Sequence, residues 1–419
     1  MSSFASTQSP LVHAPGKSAV HKAALFLVWL AIALCGIVLA EPAPSDALLM
    51  GLIILLPVIG LAPLNRPVLA YLCVWLVIAV AGCLSSLYAV DQSIANMHVF
   101  VTFYLSLASA VLMAFIMVEP VEHARLIMGA YLVAAAVATI AALSGYFDLL
   151  PSLTSALTEF GRARGTFKDP NVYGAFLAPA IVYALYLWHA RPGIRSRIAL
   201  LASGLMVLGA LLSFSRGAWA NVAVSLLVFG YLTFLLSETV HQRLRLVLVT
   251  GFGLVLAFGI VAAALQSEQI AELMAERAKL AQDYDLAESG RFAGHDKARA
   301  LILDYPLGIG ARNFGGTYHD EDVHQVYLNM FLNHGWIGGA LYGLLIAVTA
   351  IEGMRHCLRT SRERPLFVAV YAGFIGTAAE GFVIDTDHWR HFYVLMALVW
   401  GMSLGQSRGR AQRQGPCRW

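Results

Sequence analysis

Twelve apolar runs, each long enough to cross about 30 Å of hydrocarbon as a helix, dominate this sequence of 419 residues. They occupy roughly residues 22–40, 46–63, 67–87, 96–118, 124–146, 170–189, 195–214, 217–236, 244–265, 327–351, 366–385 and 389–405. A helix satisfies its own backbone hydrogen bonds, which an isolated strand in lipid does not. The runs therefore predict an all-α polytopic integral membrane protein with about 12 transmembrane helices.

The composition excludes the main alternative classes. Hydrophobic residues make up 59% of the chain and charged residues only 13%, whereas soluble domains are about 25% charged. A soluble fold of this length has too little interior to bury that much apolar surface. The net charge of +3 gives no support for nucleic-acid binding. None of the five cysteines falls in a long polar connection, so a disulfide framework or a cysteine metal site is not expected.

The distribution of Lys and Arg predicts the orientation of the helices. With the N-terminus in the cytoplasm, 17 of the 28 cations and only five carboxylates fall on the cytoplasmic side. We therefore expect both termini to be cytoplasmic and call the opposite face the outer face. Residues 38–40 resemble a signal-peptide cleavage site before Glu41, but the length of the first run favours an uncleaved helix.

The runs divide the chain into four parts. Helices one to nine are predicted over residues 1–265, a large outer segment over 266–326, helices ten to twelve over 327–405, and a basic cytoplasmic tail over 406–419. In the outer segment, Ile270, Leu273 and Met274 mark the apolar face of a helix suited to a membrane surface. The stretch Arg291–Tyr305 is also compatible with a helix, and the following Pro306–Gly310 predicts a turn.

Several cations lie on the outer face against the orientation bias. Arg162, Arg164 and Lys168 share one outer connection, Arg216 stands between two apolar runs, and Arg291 lies in the outer segment. Guanidinium groups match the geometry of phosphate oxygens, so these residues are candidates for binding a diphosphate group. For four other outer cations, ion pairing with the abundant outer carboxylates is the favoured interpretation: Arg277, Lys297, Arg299 and Arg312.

His324 is the candidate catalytic base, because a histidine takes a proton from a sugar hydroxyl near neutral pH. It follows Asp320-Glu-Asp322 and precedes the tenth run, and a neighbouring carboxylate would raise its pKa. A metal site formed by His319, Asp320, Asp322 and His324 is the less favoured alternative, because no recognised ligand spacing supports it.

Three further polar residues have competing interpretations. Glu380 lies within the eleventh run, where an ionisable group indicates either function or a hydrogen bond to a neighbouring helix. Asp387 could orient a base, although a solvated connection is favoured for Asp385, Asp387 and His388. His98 in the fourth run is predicted to pack between helices.

Five pieces of sequence, grouped as three motifs, follow one another on the predicted outer face. In chain order they are Arg162–Asn171, Ser213–Ala218, Ser289–Arg291, Tyr305–Gly310 and His324–Gly338. Together they resemble the O-antigen ligase/polymerase superfamily of bacterial envelope glycosyltransferases. The last piece has His324-Gln325, nine residues, Gly335, two residues and Gly338, which fits the pattern of the ligases.

The resemblance implies an O-antigen ligase with a GT-C-like fold. Such an enzyme moves a preassembled glycan from undecaprenyl diphosphate to a sugar of lipid A–core at the periplasmic face of the bacterial inner membrane. It implies an inverting, metal-independent transfer without a cofactor, with membrane lipids and the two glycolipids as partners. By position, His324 matches the motif histidine, Arg216 and Arg291 match the essential arginines, and either Arg162 or Arg164 matches the first-motif arginine.

Lys168, Gln325, Asp387 and Glu380 are further candidates for supporting roles. Two other functions stay open from the sequence. An O-antigen polymerase uses the same donor with a lipid-linked glycan as acceptor. A non-enzymatic flippase or transporter of lipid-linked sugars would line a midplane cavity with charges, whereas the unusual residues here crowd one face.

Overall fold

The computed structural model describes residues 19–190, 193–248, 290–361 and 363–413, and the single positions 251, 259, 262 and 266. Its named helices are α1 (Ala19–Leu34), α2 (Pro44–Val58), α3 (Arg66–Ser86), α4 (Gln92–Val118), α5 (Pro120–Tyr146), α6 (Thr154–Leu157), α7 (Pro170–Ala190), α8 (Ile194–Leu212), α9 (Arg216–Leu236), α10 (Arg291–Asp304), α11 (Val326–Leu358), α12 (Arg364–Glu380) and α13 (Arg390–Arg413). Two short strands, β1 (Thr158–Glu159) and β2 (Arg162–Ala163), pair antiparallel after α6.

Seven helices of the described part are long and apolar enough to cross a membrane, namely α3, α4, α5, α7, α8, α9 and α11. The chain is therefore a mostly helical, multi-pass membrane protein, as predicted. The count of twelve spans stays a prediction, because the ninth run lies mostly outside the described residues. The predicted amphipathic helix around Ile270 also lies outside them. The helix predicted over Arg291–Tyr305 is α10.

Local sequence determines where several helices begin. The Asp91 side chain accepts hydrogen bonds from the backbone N–H groups of Ser93 (2.9 Å) and Ile94 (3.0 Å) at the start of α4. The Ser215 hydroxyl accepts one from the N–H of Ala218 at 3.3 Å, so α9 begins at Arg216. Each cap satisfies a donor that the first helical turn leaves unpaired.

The bundle is organised around α4 and α7. Helix α4 packs against α3 and α13, and α7 packs against α8, α9 and α12. Small residues permit these close approaches: a Cβ added to Gly373 on α12 would lie 2.9 Å from Pro179 on α7. Buried hydroxyls find partners across helices, as in the 2.9 Å hydrogen bond between Tyr71 and Ser109. Helices from both halves of the chain therefore pack together in the interior of the bundle.

The predicted tenth span is broken at Gly335. This residue has φ 63° and ψ −173°, so residues 326–334 and 336–358 of α11 form two helical pieces rather than one straight helix. The backbone of Pro306-Leu307 packs into the break, where the N–H of Trp336 donates to the carbonyl of Pro306 at 2.9 Å. The turn at Pro306–Gly310 and the glycine of the His324 motif therefore form one structural unit.

We expect Gly335→Ala to destabilise the fold strongly. The observed φ and ψ are almost confined to glycine and cost other residues about 1–3 kcal/mol, and an added Cβ would lie 2.7 Å from the Pro306 carbonyl oxygen. Thermal unfolding in detergent measures the loss. Gly343→Ala is the matched control on the same helix, because a Cβ there meets no heavy atom within 4 Å. Equal unfolding temperatures for the two variants would contradict the prediction.

Candidate active site

A cavity of about 640 Å³ opens where the predicted outer connections meet at one end of the bundle. It is lined by residues of α4, α7, α10, α11 and α13 and by the connections that precede α2, α7, α11 and α13. Contacts such as the hydrogen bond from the N–H of Val38 to the carbonyl of Thr166, at 2.8 Å, tie these connections together. The predicted outer segments are thus gathered at one end of the molecule, which we call the cavity end.

The described residues that line the cavity include the predicted base and three of the eight other predicted site residues. They are His324, Arg291, Lys168 and Asp387 among the predicted residues, together with His98, Arg312, Asp385, His388, Arg390 and His391. The other predicted residues do not line it in the described part of the chain: Arg162, Arg164, Arg216, Gln325 and Glu380. The cavity therefore separates the candidates into two groups.

His324 is held in place by hydrogen bonds on both of its sides. Val323 is buried, and its carbonyl accepts a hydrogen bond from His295 Nε2 at 2.8 Å. The N–H of Val326 donates to the carbonyl of Gly381 at 3.0 Å. Between them, His324 adopts a left-handed backbone with φ 47°, which is uncommon for a residue other than glycine. These two hydrogen bonds fix the backbone on either side of His324, whose half-buried imidazole lines the cavity.

Neighbouring carboxylates raise the pKa of His324, as expected, but the net shift is downward. Burial lowers the pKa below its usual range, and the nearby Arg291 guanidinium lowers it further. Asp322 and Glu321 oppose these effects without overcoming them. The imidazole is consequently neutral at neutral pH, as a general base must be before it accepts a proton.

Arg291 begins α10 and is half-buried beside the cavity. In the described part of the chain no carboxylate pairs with it, and its Nε atom is buried without a hydrogen-bond partner. In contrast, Arg312 pairs with Asp322 at 2.7 Å and Lys168 with Glu41 at 3.0 Å. Among the described residues, Arg291 thus has guanidinium donors left for an anion.

The two arginines of the first motif make different contacts. Arg162 Nε donates to the carbonyl of Ser213 at 2.8 Å, and its Nη2 donates to Asn171 Oδ1 at 2.7 Å. This joins the first motif to the second. Arg164 donates instead to backbone carbonyls of its own connection, including those of Ser155 and Lys168. Both guanidinium groups thus brace the connection before α7.

Glu380 ends α12, 1% exposed, beside the start of α9. Asn221 Nδ2 donates to its Oε2 at 2.7 Å, and a Cβ added to Gly217 would lie 3.0 Å from its Oε1. These contacts agree with the interpretation in which Glu380 is hydrogen-bonded to a neighbouring helix. Arg216 precedes Gly217 and is half-buried. Gln325 lies at the N-terminus of α11, with its Oε1 buried and without a hydrogen-bond partner.

The solvated interpretation is wrong for Asp387, in the connection between α12 and α13. Asp387 is 3% exposed and lies 2.9 Å from His98 Nε2 on α4. The ring of His388 lies 4.0 Å from that of His98, centroid to centroid. The packing of α4 against α13 brings the connection over the start of α4, which buries Asp387 and leaves His98 and His388 half-buried. His98 is thus a packed residue, as predicted, but its ring is part of a polar cluster.

Burial and mutual contact shift the pKa values of Asp387 and His388. Burial raises the pKa of Asp387, but the imidazoles of His388 and His98 more than offset this and hold the pKa below its usual range. Burial lowers the pKa of His388 to about 4, although Asp387 opposes the effect. At neutral pH the cluster therefore holds a carboxylate beside a neutral imidazole.

Arg390 connects this cluster to the first helices. Its Nε and Nη2 donate to the two carboxylate oxygens of Asp46, at 2.7 and 2.6 Å. Asp46 also accepts from the N–H of Ala43 at 2.7 Å. The pair fixes the start of α13, and with it the connection that carries Asp387, against the start of α2.

The alternative metal site around His319 is not assembled. Its Asp322 is paired with Arg312, and His319 Nδ1 lies against the backbone of Glu321 at 3.2 Å. Within the described ranges, the group with metal-ligand geometry is formed by His98, Asp387 and His388 instead. The sequence offered no spacing signal for that group, because His98 and Asp387 are 289 residues apart.

The fold and the cavity define a multi-pass membrane protein with a cationic and histidine-bearing site at one end of its helical bundle. Residues 198–343 match a family model described as O-antigen ligase. This range includes Arg216, Arg291 and His324, and the match confirms the resemblance to the O-antigen ligase superfamily that the motifs indicate. None of the curated proteins compared with the chain matches it.

Proposed function

We propose that the protein is an O-antigen ligase that transfers a preassembled glycan from undecaprenyl diphosphate to a sugar hydroxyl of lipid A–core. One observation carries the proposal: half-buried His324 lines the same cavity as Arg291, which pairs with no carboxylate among the described residues. A neutral base beside an available guanidinium suits attack by a hydroxyl on a donor with an anionic leaving group. The family match over these residues supports a ligase-type transfer.

His324 takes the proton of the acceptor hydroxyl as its oxygen attacks the anomeric carbon of the donor. The bond between that carbon and the diphosphate oxygen breaks, and undecaprenyl diphosphate leaves as an anion. Arg291 stabilises the charge that develops on the leaving oxygen. One displacement inverts the anomeric configuration, and the proton on His324 then passes to solvent. Because the diphosphate is a good leaving group and Arg291 supplies the positive charge, we propose a metal-independent step.

The remaining arginines and Lys168 have secondary roles in this proposal. Lys168 extends the positive charge at the cavity, whereas Arg216, which does not line the cavity in the described part of the chain, keeps its diphosphate contact only as a prediction from the motif. Arg162 positions the first two motifs through Ser213 and Asn171, and Arg164 braces its own connection. Of the two, Arg162 is thus the better match for the first-motif arginine, because it joins motifs that the family shares.

We further propose that the cavity end faces the periplasm, with the chain in the inner membrane and both termini in the cytoplasm. The excess of Lys and Arg on the opposite side supports this orientation. The lipid carrier and the lipid A–core acceptor would both reach the cavity from the outer leaflet.

Lipopolysaccharide gels of a deletion strain test the function. We expect the wild-type gene to restore long glycan chains on lipid A–core, and His324→Ala, present in the membrane at equal amount, to leave them on the carrier. Capping of lipid A–core with a single repeat in the deletion strain would indicate a polymerase instead. Failure of carrier-linked glycan to reach the periplasm would indicate a transporter.

A further inference from the structure

The cluster of His98, Asp387 and His388 has the arrangement of a metal site. The candidate ligand atoms, one from each residue, all lie within 4.8 Å of one another. Two imidazoles and one carboxylate therefore converge from α4 and from the connection before α13. The cluster shares no residue with the His319 group that the sequence suggested.

The backbone that carries these side chains is fixed by its neighbours. The Tyr393 hydroxyl donates to the carbonyl of Asp387 at 2.7 Å, and the N–H of Trp389 donates to the carbonyl of Thr386 at 3.1 Å. The ion pair between Arg390 and Asp46 holds the first residue of α13, two positions after His388. The three donor groups are thus prearranged on a rigid frame, which lowers the cost of binding an ion.

The donor set selects the class of ion. Imidazole nitrogens with one carboxylate oxygen suit Zn²⁺, with bonds of about 2.0–2.2 Å and donors about 3.3 Å apart in a tetrahedral site. Starting from separations of up to 4.8 Å, side-chain rotations that bring the donors together by at most about 1.5 Å would form such a site. All three residues line the cavity, which leaves the fourth position for a ligand from that side.

We propose that His98, Asp387 and His388 bind one Zn²⁺ ion at the edge of the cavity. On binding, Asp387 exchanges its hydrogen bond with His98 for a bond to the metal, and each imidazole uses a nitrogen lone pair. A consequence, which rests on the proposed function, is that bound Zn²⁺ inhibits glycan transfer. The ion removes the Asp387 carboxylate from the cavity and adds positive charge beside His324.

Zinc titration of the purified full-length chain in detergent, with its affinity tag removed, tests the site. Competition with a chromophoric chelator measures affinity and stoichiometry. We expect one Zn²⁺ per chain for the wild type and at least a tenfold weaker affinity for His98→Ala and His388→Ala, roughly the loss expected from disturbing a metal site. Asp387→Asn, which conserves side-chain shape, is the third variant and guards against loss of folding.

Two control variants separate this site from its neighbours. His319→Ala is expected to bind Zn²⁺ like the wild type, because His319 belongs to the group that is not assembled. His324→Ala is expected to retain Zn²⁺ and to lose transfer. Absence of a stoichiometric ion in the wild type, or unchanged affinity in folded His98→Ala, His388→Ala and Asp387→Asn, would overturn the proposal.

Transfer assays keep the two proposals distinguishable. We expect micromolar Zn²⁺ to lower wild-type transfer and EDTA to restore it. Stoichiometric Zn²⁺ binding in a chain without transfer activity would support the metal site and refute the proposed glycan transfer. Transfer that depends on His324 in a chain that binds no Zn²⁺ would do the opposite. Transfer that is unchanged when the ion is bound would refute the inhibitory role.

Discussion

Replacing His324 with alanine is expected to reduce glycan transfer by about 10²–10⁴-fold, which is the usual contribution of a positioned general base. The measurement is the initial rate with purified enzyme, carrier-linked glycan and lipid A–core. His319→Ala is the matched control, because His319 lies in the same segment and does not line the cavity in the described part of the chain. A wild-type rate in folded His324→Ala would show that His324 is not the general base.

The depressed pKa of His324 gives this prediction a pH signature. Only the neutral imidazole accepts a proton, so the rate is constant above the pKa of the folded protein and falls as the pH drops below it. Because burial and Arg291 lower that pKa from its ordinary value of 6.5, we expect the plateau to extend below pH 6.5. A rate that starts to fall above pH 7 would contradict the environment described for His324.

Replacing Arg291 with alanine is the second change with a large expected effect. Loss of one preorganised donor at a developing oxyanion lowers kcat by about 10²–10³-fold. We expect Arg291→Lys to recover only part of the activity, because an ammonium keeps the charge but loses the forked geometry. Kinetic assays with varied donor concentration separate a change in kcat from a change in KM.

Arg299→Ala supplies the matched control for Arg291. It lies on the same helix α10, is exposed, and is paired with Asp296 at 2.7 Å. Removal of an exposed ion pair of this kind costs at most about 1 kcal/mol of stability and is expected to leave transfer unchanged. If both variants lost activity to the same extent, the effect would arise from α10 as a whole rather than from the Arg291 guanidinium.

The helices were predictable because each depends on a continuous stretch of sequence. Runs of about 20 apolar residues satisfy the backbone within the run itself, and α3, α4 and α7 lie close to their predicted ranges. Ends and breaks were less predictable. Helix α13 continues to Arg413, past the predicted end at residue 405, and the break at Gly335 depends on the distant Pro306 backbone.

The chemistry of the site was predictable only in part. His324 and Arg291 were identified by motif, and the pairing of Arg312 with a carboxylate was expected from the local excess of acids. The burial of Asp387 was not, because it arises from the packing of α4 against α13. The upward effect of the acidic neighbours on the pKa of His324 was predictable from sequence, whereas the larger downward effects of burial and Arg291 were not.

The ion pair between Asp46 and Arg390 also bears on how the molecule is assembled during synthesis. Its partners are 344 residues apart. At typical rates of about 5–20 residues per second, roughly 17–70 seconds of translation separate the emergence of the two residues. Asp46 therefore waits without this partner while most of the later helices are made. The wall of the cavity that carries Asp387 and His388 is completed only when the last helix joins the first ones, so the site is among the last features of the protein to form.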